Sequence, residues 1–291
     1  GGVPSVSVLA ASPGSGDEFT LNAIGDVQVG DDEELSYAVR SLWPMLQNQP
    51  STSLNLCLGD LVNNNVELYL ELSRLISLLP SHNYAVVGNH DRIPLLANPT
   101  DWDSARVVQT EPFRKAFGPD YYSFDYQRLH VIVLNNVLAK GKRGYTGAIT
   151  RRQLDFVADD LRKVKKNRRI LLAMHIPLAR TSNRDQLLKM LEHRDRVIVL
   201  TGHMHQVARH RYNIPGTRVD ELVAGATCGF WWVGEKNFRG VPSALMQCGT
   251  PKRYFQFHFT RGGLAHTYRF VPTDSRSEVN VWVAGRVAPD R

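Results

Sequence analysis

Tyr84-Ala85-Val86-Val87-Gly88-Asn89-His90-Asp91 is the stretch on which the reading of this chain turns. Its first four residues have the β-branched, apolar character of a short buried strand, and Gly88 stops the run just before three polar groups able to handle protons or metal. Open α/β architectures place their ligands at the carboxyl edge of such strands. In isolation, Gly-Asn-His-Asp could equally be a polar turn whose Asn caps the next segment through its side chain. The neighbouring segments decide between the two.

Upstream, Phe19 to Ile24 is a first apolar strand ending in Gly25-Asp26-Val27-Gln28, and Leu54 to Leu58 is a second ending in Gly59-Asp60-Leu61-Val62-Asn63. Between them Leu35, Val39, Leu42 and Leu46 mark one face of a helix, and Leu68, Leu72, Leu75, Ile76 and Leu79 mark another, closed by Pro80. Three strand-helix units with polar tips predict a largely parallel sheet with its site along one edge. Downstream, Arg169 to Met174 runs into His175-Ile176-Pro177, and Arg196 to Leu200 into Thr201-Gly202-His203-Met204-His205. Residues 92–108 have the Pro-, Asn- and Asp-rich composition of a long surface loop beside the site. Tyr121 to Asp125 with Leu129 to Leu134 predicts a hairpin, followed by the Gly- and Lys-rich segment 140–147. Thr150 and Gln153 form a capping box for a helix through Leu154, Val157, Leu161 and Val164. The basic residues at 163–169 suit that helix's negative end and read as a solvated face.

The 291 residues can bury a large core, and 43% hydrophobic with 22% charged residues is an ordinary globular balance. No run of about 18 apolar residues predicts a membrane span. The balance of 35 Lys and Arg against 28 Asp and Glu, a formal net charge of +7, favours anionic partners. The basic residues are scattered rather than striped, which counts against a nucleic-acid-binding module; nucleic acid would enter only as a substrate. Three cysteines are too few for a disulfide scaffold. Cys57 reads as a buried thiol, and Cys228 and Cys248 could pair in an oxidising compartment. The chain opens on Gly1-Gly2 without an apolar leader, so the numbering is expected to begin downstream of a removed segment.

Collected, the strand-end groups are Asp26, Gln28, Asp60, Asn89, His90, Asp91, His175, His203 and His205. They offer only nitrogen and oxygen donors, which suits Mn, Fe or Zn, and they are too many for one tetrahedral zinc. Two adjacent ions are the economical reading, with a carboxylate such as Asp60 bridging them at about 3.5–4 Å.

These blocks resemble the calcineurin-like metallophosphoesterase family, whose pattern runs Asp-x-His, Gly-Asp-x-x-Asp, Gly-Asn-His-Asp/Glu, His, then Gly-His-x-His. The resemblance covers residues 19 to 227. It implies an α/β fold of four layers, an α-β-β-α sandwich of two mixed sheets, with a dinuclear site on top. It implies one ion on Asp26, Gln28, Asp60 and His205, and a second on Asp60, Asn89, His175 and His203. It further implies hydrolysis of an anionic phosphate ester, monoester or diester, by attack of a metal-bridging hydroxide. His90 would be the general acid and Asp91 the holder of its ring. Gln28 departs from the pattern's His, exchanging an imidazole for an amide oxygen, and Asn63 stands where Asp is usual.

A fainter resemblance, carried by Asp26-x-Gln28 and by Thr227-Cys228-Gly229-Phe230-Trp231-Trp232, is to an exported bacterial branch with a small C-terminal β domain. It implies a periplasmic or extracellular protein. Residues 1–18, rich in Gly, Ser and Pro, read as a tail, residues 19–227 are the metallophosphoesterase domain, and from 228 the helical period gives way to short β-like runs that predict a small β appendage through 291. Arg92, Tyr145, Trp231 and Trp232 are the candidate substrate contacts, Arg92 for a phosphate oxygen and the tryptophans for stacking. The tryptophan pair could instead plug an interdomain contact. Two rivals remain at this point: a metal-holding protein that binds without cleaving, and the basic nucleic-acid-binding module.

Overall fold

The computed structural model describes residues 18–229, 252–260 and 263–271. Strands β1 (Phe19–Ile24), β2 (Leu54–Cys57) and β3 (His82–Ala85) are parallel neighbours. Strands β4 (Tyr122–Tyr126) and β5 (Leu129–Val133) form the expected hairpin, and β6 (Val137–Lys140) with β7 (Gly144–Gly147) forms a second. Then come β8 (Arg169–Ala173), β9 (Arg196–Thr201), β10 (Ala208–Ile214), β11 (Thr217–Val223), β12 (Arg253–Thr260) and β13 (Gly263–Phe270). One sheet has the order β13-β12-β1-β2-β3 and the other β10-β11-β9-β8-β5-β4. The first joins parallel β1, β2 and β3 to antiparallel β12 and β13 on one side, and the second has a parallel centre with antiparallel β10 and β4 at its edges.

Alternation along the strands builds the layers. Leu21, Ala23, Leu54 and Leu56 from the first sheet pack with Leu129, Val131, Leu171 and Leu200 from the second, filling the space between the sheets. The opposite face of the first sheet, with Ile24, Cys57 and Ala85, lies under α1 (Asp32–Ser41), α2 (Trp43–Gln47) and α3 (Tyr69–Ser77). After α4 (Trp102–Gln109) and α5 (Glu111–Phe117) the chain enters β4. The opposite face of the second sheet, with Ile132, Ile170 and Val197, is covered by α6 (Arg151–Lys163) and α7 (Arg184–Met190). The result is the four-layer α-β-β-α sandwich, with a C-terminal strand region.

The first sheet carries an amide ladder on its helix-covered face. Gln256 Nε2 donates to Asn22 Oδ1 (3.0 Å), Asn22 Nδ2 to Asn55 Oδ1 (2.7 Å), and Asn55 Nδ2 to Asn83 Oδ1 (2.8 Å). Buried amides must be paired, so the ladder holds β12, β1, β2 and β3 in one register.

Several local expectations shift. The single helix read through Leu35 and Leu46 breaks at Leu42, where Pro44 opens α2. The strand read at Tyr84 to Val87 ends at Ala85, leaving Val86 and Val87 buried beyond it. The segment read as a loop at 92–108 contains α4, whose start Asp101 caps by accepting from Asp103 N and Ser104 N. Gln153 donates its backbone N–H to Thr150 Oγ1, and its side chain bridges the backbone of Asn135 and Thr150 Oγ1 rather than accepting from the Thr150 backbone N–H. Strands β12 and β13 extend the first sheet, β12 lying antiparallel to β1. The tail at 1–17 and most of the β appendage expected at 228–291 lie outside the described residues.

Candidate metal centre

The loops following β1, β2, β3, β8 and β9 meet at one end of the sandwich. Past the strand ends the chains stay paired: Gln28 N donates to Asp60 O (2.7 Å), Gly202 N to His175 O (2.9 Å) and Thr227 N to Gly25 O (2.9 Å). Asp26, Gln28, Asp60, His203 and His205 all have φ between 45° and 70°. Side-chain-bearing residues avoid this left-handed region, at a cost of about 1–3 kcal/mol each, and its use clusters at functional sites. Glycines let the loops approach. A Cβ on Gly88 would lie 2.1 Å from Asp60 N, and one on Gly59 would lie 2.5 Å from His175 Nδ1.

Two sets of donor atoms result. Asp60, His175 and His203 form one, and Asp26, Asp60 and His205 the other; within each, the atoms lie within 4.8 Å of one another, and Asp60 belongs to both. Asn89 Oδ1 joins the first set, 3.0 Å from His175 Nε2. Asp26 lies beside His205 Nε2 (3.4 Å) and accepts from His203 N (3.0 and 3.2 Å). Gln28 reaches the same place through its backbone. Its Oε1 is buried without a hydrogen-bond partner and lies against Gly229, where a Cβ would come within 2.5 Å of it. Asn63 is exposed and stands outside the donor sets.

Proton placement tests whether these atoms fit a cation. The Nδ1–H of His175 donates to Leu58 O (2.8 Å), which turns Nε2 toward Asn89 Oδ1 and Asp60 Oδ2, both electron-rich oxygens. Three such atoms converge only around a shared positive charge. Without metal, a proton plays that part: burial opposes charge on His175, but Asp60 outweighs it and pushes the imidazole up to about 9. Burial likewise opposes charge on Asp60, yet His175 and His90 hold it at about 2. His203 is pushed down to about 4 by burial and by the positive His175, which leaves it a neutral imidazole with a lone pair to give. Carboxylates, imidazoles and amide oxygens in this arrangement fit a hard or borderline cation.

His90 and Asp91 do not form the expected pair. Asp91 Oδ1 accepts from Leu61 N (2.9 Å), Val62 N (3.2 Å) and Tyr69 Oη (3.1 Å), and Oδ2 from Gly88 N (2.8 Å). Burial and the charge of Asp60 push its carboxyl up to about 7, against which these four donors favour the anion. Asp91 is therefore a clamp between the β2 and β3 loops. The His90 ring is partly exposed, its Nδ1 has no hydrogen-bond partner, and its backbone N–H donates to Asp60 Oδ1 (2.8 Å).

Arg92 and Tyr145 stand beside the donors. The Arg92 guanidinium lies 5.5 Å from the centre of the Tyr145 ring, which meets the His203 ring edge-on at 5.9 Å. Trp231 and Trp232 lie outside the described residues. Cys57 and Cys228 are buried free thiols, and Cys248, the partner expected for Cys228, lies outside the described residues.

Two groups escaped the sequence reading. Asn136 brackets the His175 loop, accepting from Ile176 N (3.1 Å) and donating to Ile176 O (2.7 Å). Gln109 accepts from Arg92 Nη1 (2.8 Å). Neither carries a motif, and Gln109 lies one residue past the stretch whose composition reads as loop.

The family described as Calcineurin-like phosphoesterase matches residues 19–207, and the one described as C terminal of Calcineurin-like phosphoesterase matches residues 221–291. No curated protein is significantly similar in sequence. Among solved structures, the sulfate thiohydrolase SoxB of Thermus thermophilus aligns over 95% of this chain at 14% identity and a TM-score of 0.48. This chain spans 61% of that protein's length. Zinc-complexed Vps29 of Entamoeba histolytica aligns over 86% of this chain and 98% of its own at 11% identity and a TM-score of 0.34. The match of the first family to most of the described chain, over the segment that supplies all the strand-end donors, shows that the protein belongs to the calcineurin-like phosphoesterases.

Proposed function

We propose that this protein is a metal-dependent hydrolase of phosphoric esters, with two ions sharing Asp60. The observation that carries this reading is the membership of Asp60 in both donor sets, at the meeting point of strained strand-end loops. Asp26, Gln28, Asp60 and His205 would hold one ion, and Asp60, Asn89, His175 and His203 the other. Ions such as Mn, Fe or Zn, when bound, supply a water-derived nucleophile at neutral pH and absorb charge on the phosphoryl oxygens.

The chain's own residues provide the rest. Asp91 fixes the spacing of the β2 and β3 loops and so of Asp60 and Asn89. Leu58 O fixes the tautomer of His175. His90, partly exposed beside Asp60, donates a proton to the leaving alkoxide. Arg92 and Tyr145 face the substrate from the side of His203.

The test is a panel of mono- and diester substrates with Mn, Fe, Zn or no metal, run on the parent, Asp60→Asn and His90→Ala. Asp60→Asn is expected to lose metal and activity together. His90→Ala is expected to keep metal but lose about 10²–10⁴ in rate, most with poor leaving groups. A parent that is inert with every metal would leave only a binding role.

A further inference from the structure

Arg92 is a buried cation with no anion of its own. Its side chain lies within a residue only 7% exposed, and its contacts are an amide and a ring. Nη1 donates to the neutral Gln109 Oε1, the Tyr145 ring lies under the guanidinium, and Nε has no hydrogen-bond partner. Among the described residues, no carboxylate lies within ion-pair distance of it. The acidic groups whose field reaches it are Asp60 and Asp91, one a shared donor of the metal centre and the other already occupied by four donors. Burying a guanidinium without a counter-charge is expensive, so the arrangement calls for an anion from outside.

Gln109 is placed to hold this charge without cancelling it. It is 1% exposed at the end of α4, and its backbone O also accepts from Ile93 N (3.0 Å), so the helix grips both Arg92 and the residue after it. Glutamate is nearly isosteric with glutamine. It would complete an internal ion pair at this point and leave the guanidinium neutralised.

We propose that Arg92 is a preformed oxyanion subsite beside the metal centre, taking a nonbridging oxygen of a phosphoryl group, and that Gln109 is the positioning residue that keeps its charge available. The subsite rests on the hydrolase reading for its location but not for its measurement. A guanidinium already oriented at two points loses little freedom when the anion arrives. The Tyr145 ring under the guanidinium also meets the His203 ring, with centres 5.9 Å apart, so the subsite borders the donors.

The experiment is calorimetric titration of the metal-loaded protein with inorganic phosphate, comparing the parent with Gln109→Glu and Arg92→Gln. Metal content and melting temperature are measured on each. Both variants are expected to bind phosphate about tenfold or more weakly, the size of a lost charge-assisted contact, at unchanged metal content. A purely structural Arg92 predicts a Gln109→Glu protein that melts no lower and binds phosphate as the parent does, and that result overturns the proposal. If Gln109→Glu does not fold, Arg92→Lys carries the test. Lysine keeps the charge but lacks the fork that reaches Gln109 and the anion together, so about tenfold weaker binding is expected, and parent-like binding overturns the proposal. A parent that binds phosphate through Arg92 yet cleaves no ester would sink the hydrolase reading alone.

Discussion

His175 Nε2 lies 3.3 Å from Asp60 Oδ2 with both side chains buried, and this contact sets the pH behaviour of the metal-stripped protein. The imidazole is raised from 6.5 to about 9 in the fold, so its contribution is complete below pH 6.5 and is lost as pH climbs through 9. Asp60 is lowered from 3.8 to about 2, so its share is present above pH 3.8 and is lost as pH falls through 2. Both shifts describe one interaction. Melting temperature of chelator-treated protein should therefore decline as pH rises from about 7 toward 9, where His175 alone among these groups still loses its proton. Metal ligation needs neutral His175, so added metal should remove the alkaline decline. A stripped protein equally stable at about pH 7 and 9 would contradict this.

The two donor sets differ in what they share, which predicts different losses. His203→Ala removes a donor from one set, and Asp60→Asn removes a charge common to both. Elemental analysis after dialysis should show His203→Ala keeping about half the parent's metal and Asp60→Asn keeping little. Ligand-related substitutions typically cost 10- to 100-fold in affinity even when made outside the ligands themselves. Equal retention in the two variants would argue against a shared Asp60.

Asp91 and His90 should separate by assay. Asp91→Ala leaves two buried loops with unpaired N–H groups and is expected to lose about 3 kcal/mol or more of stability by denaturant unfolding. Its effect on rate should be the same for good and poor leaving groups. His90→Ala should leave stability nearly unchanged and show the leaving-group dependence described above. An Asp91 variant whose rate depends on the leaving group as that of His90→Ala does would restore Asp91 as a partner of the acid.

The amide ladder predicts a purely structural cost. Asn55→Leu leaves Asn22 Nδ2 without its acceptor and Asn83 Oδ1 without its donor, and should lower unfolding free energy by about 2–3 kcal/mol. Metal content should stay at the parent's level in the folded fraction. A loss below 0.5 kcal/mol, read by the same denaturant titration, would show that the ladder does not hold the register.

What the sequence by itself determined was the set of strand tips. Apolar runs that end in Gly and then a polar group are local patterns, and Asp26, Asp60, Asn89, His175, His203 and His205 were legible because chain neighbours alone say where a strand stops. The four layers came from the resemblance to a family rather than from local pattern, since the alternation at Leu21, Asn22 and Ala23 reads as one solvent-facing side whereas Asn22 is buried too.

Only the tertiary structure decided what those tips do to one another. Asp91 follows His90 in the chain, and adjacency suggested a pair. Its oxygens are instead claimed by Leu61, Val62, Gly88 and Tyr69, amides and a hydroxyl that the strand order brings alongside. The stretch up to Val108 looked like loop because α4 is short and its start depends on a single capping Asp101, and nothing local signals that Gln109 has a partner 17 residues back at Arg92. The seating of β12 beside β1 was equally hidden, because strand pairing is settled by matching faces and buried amides across more than two hundred residues, a relation absent from any local window.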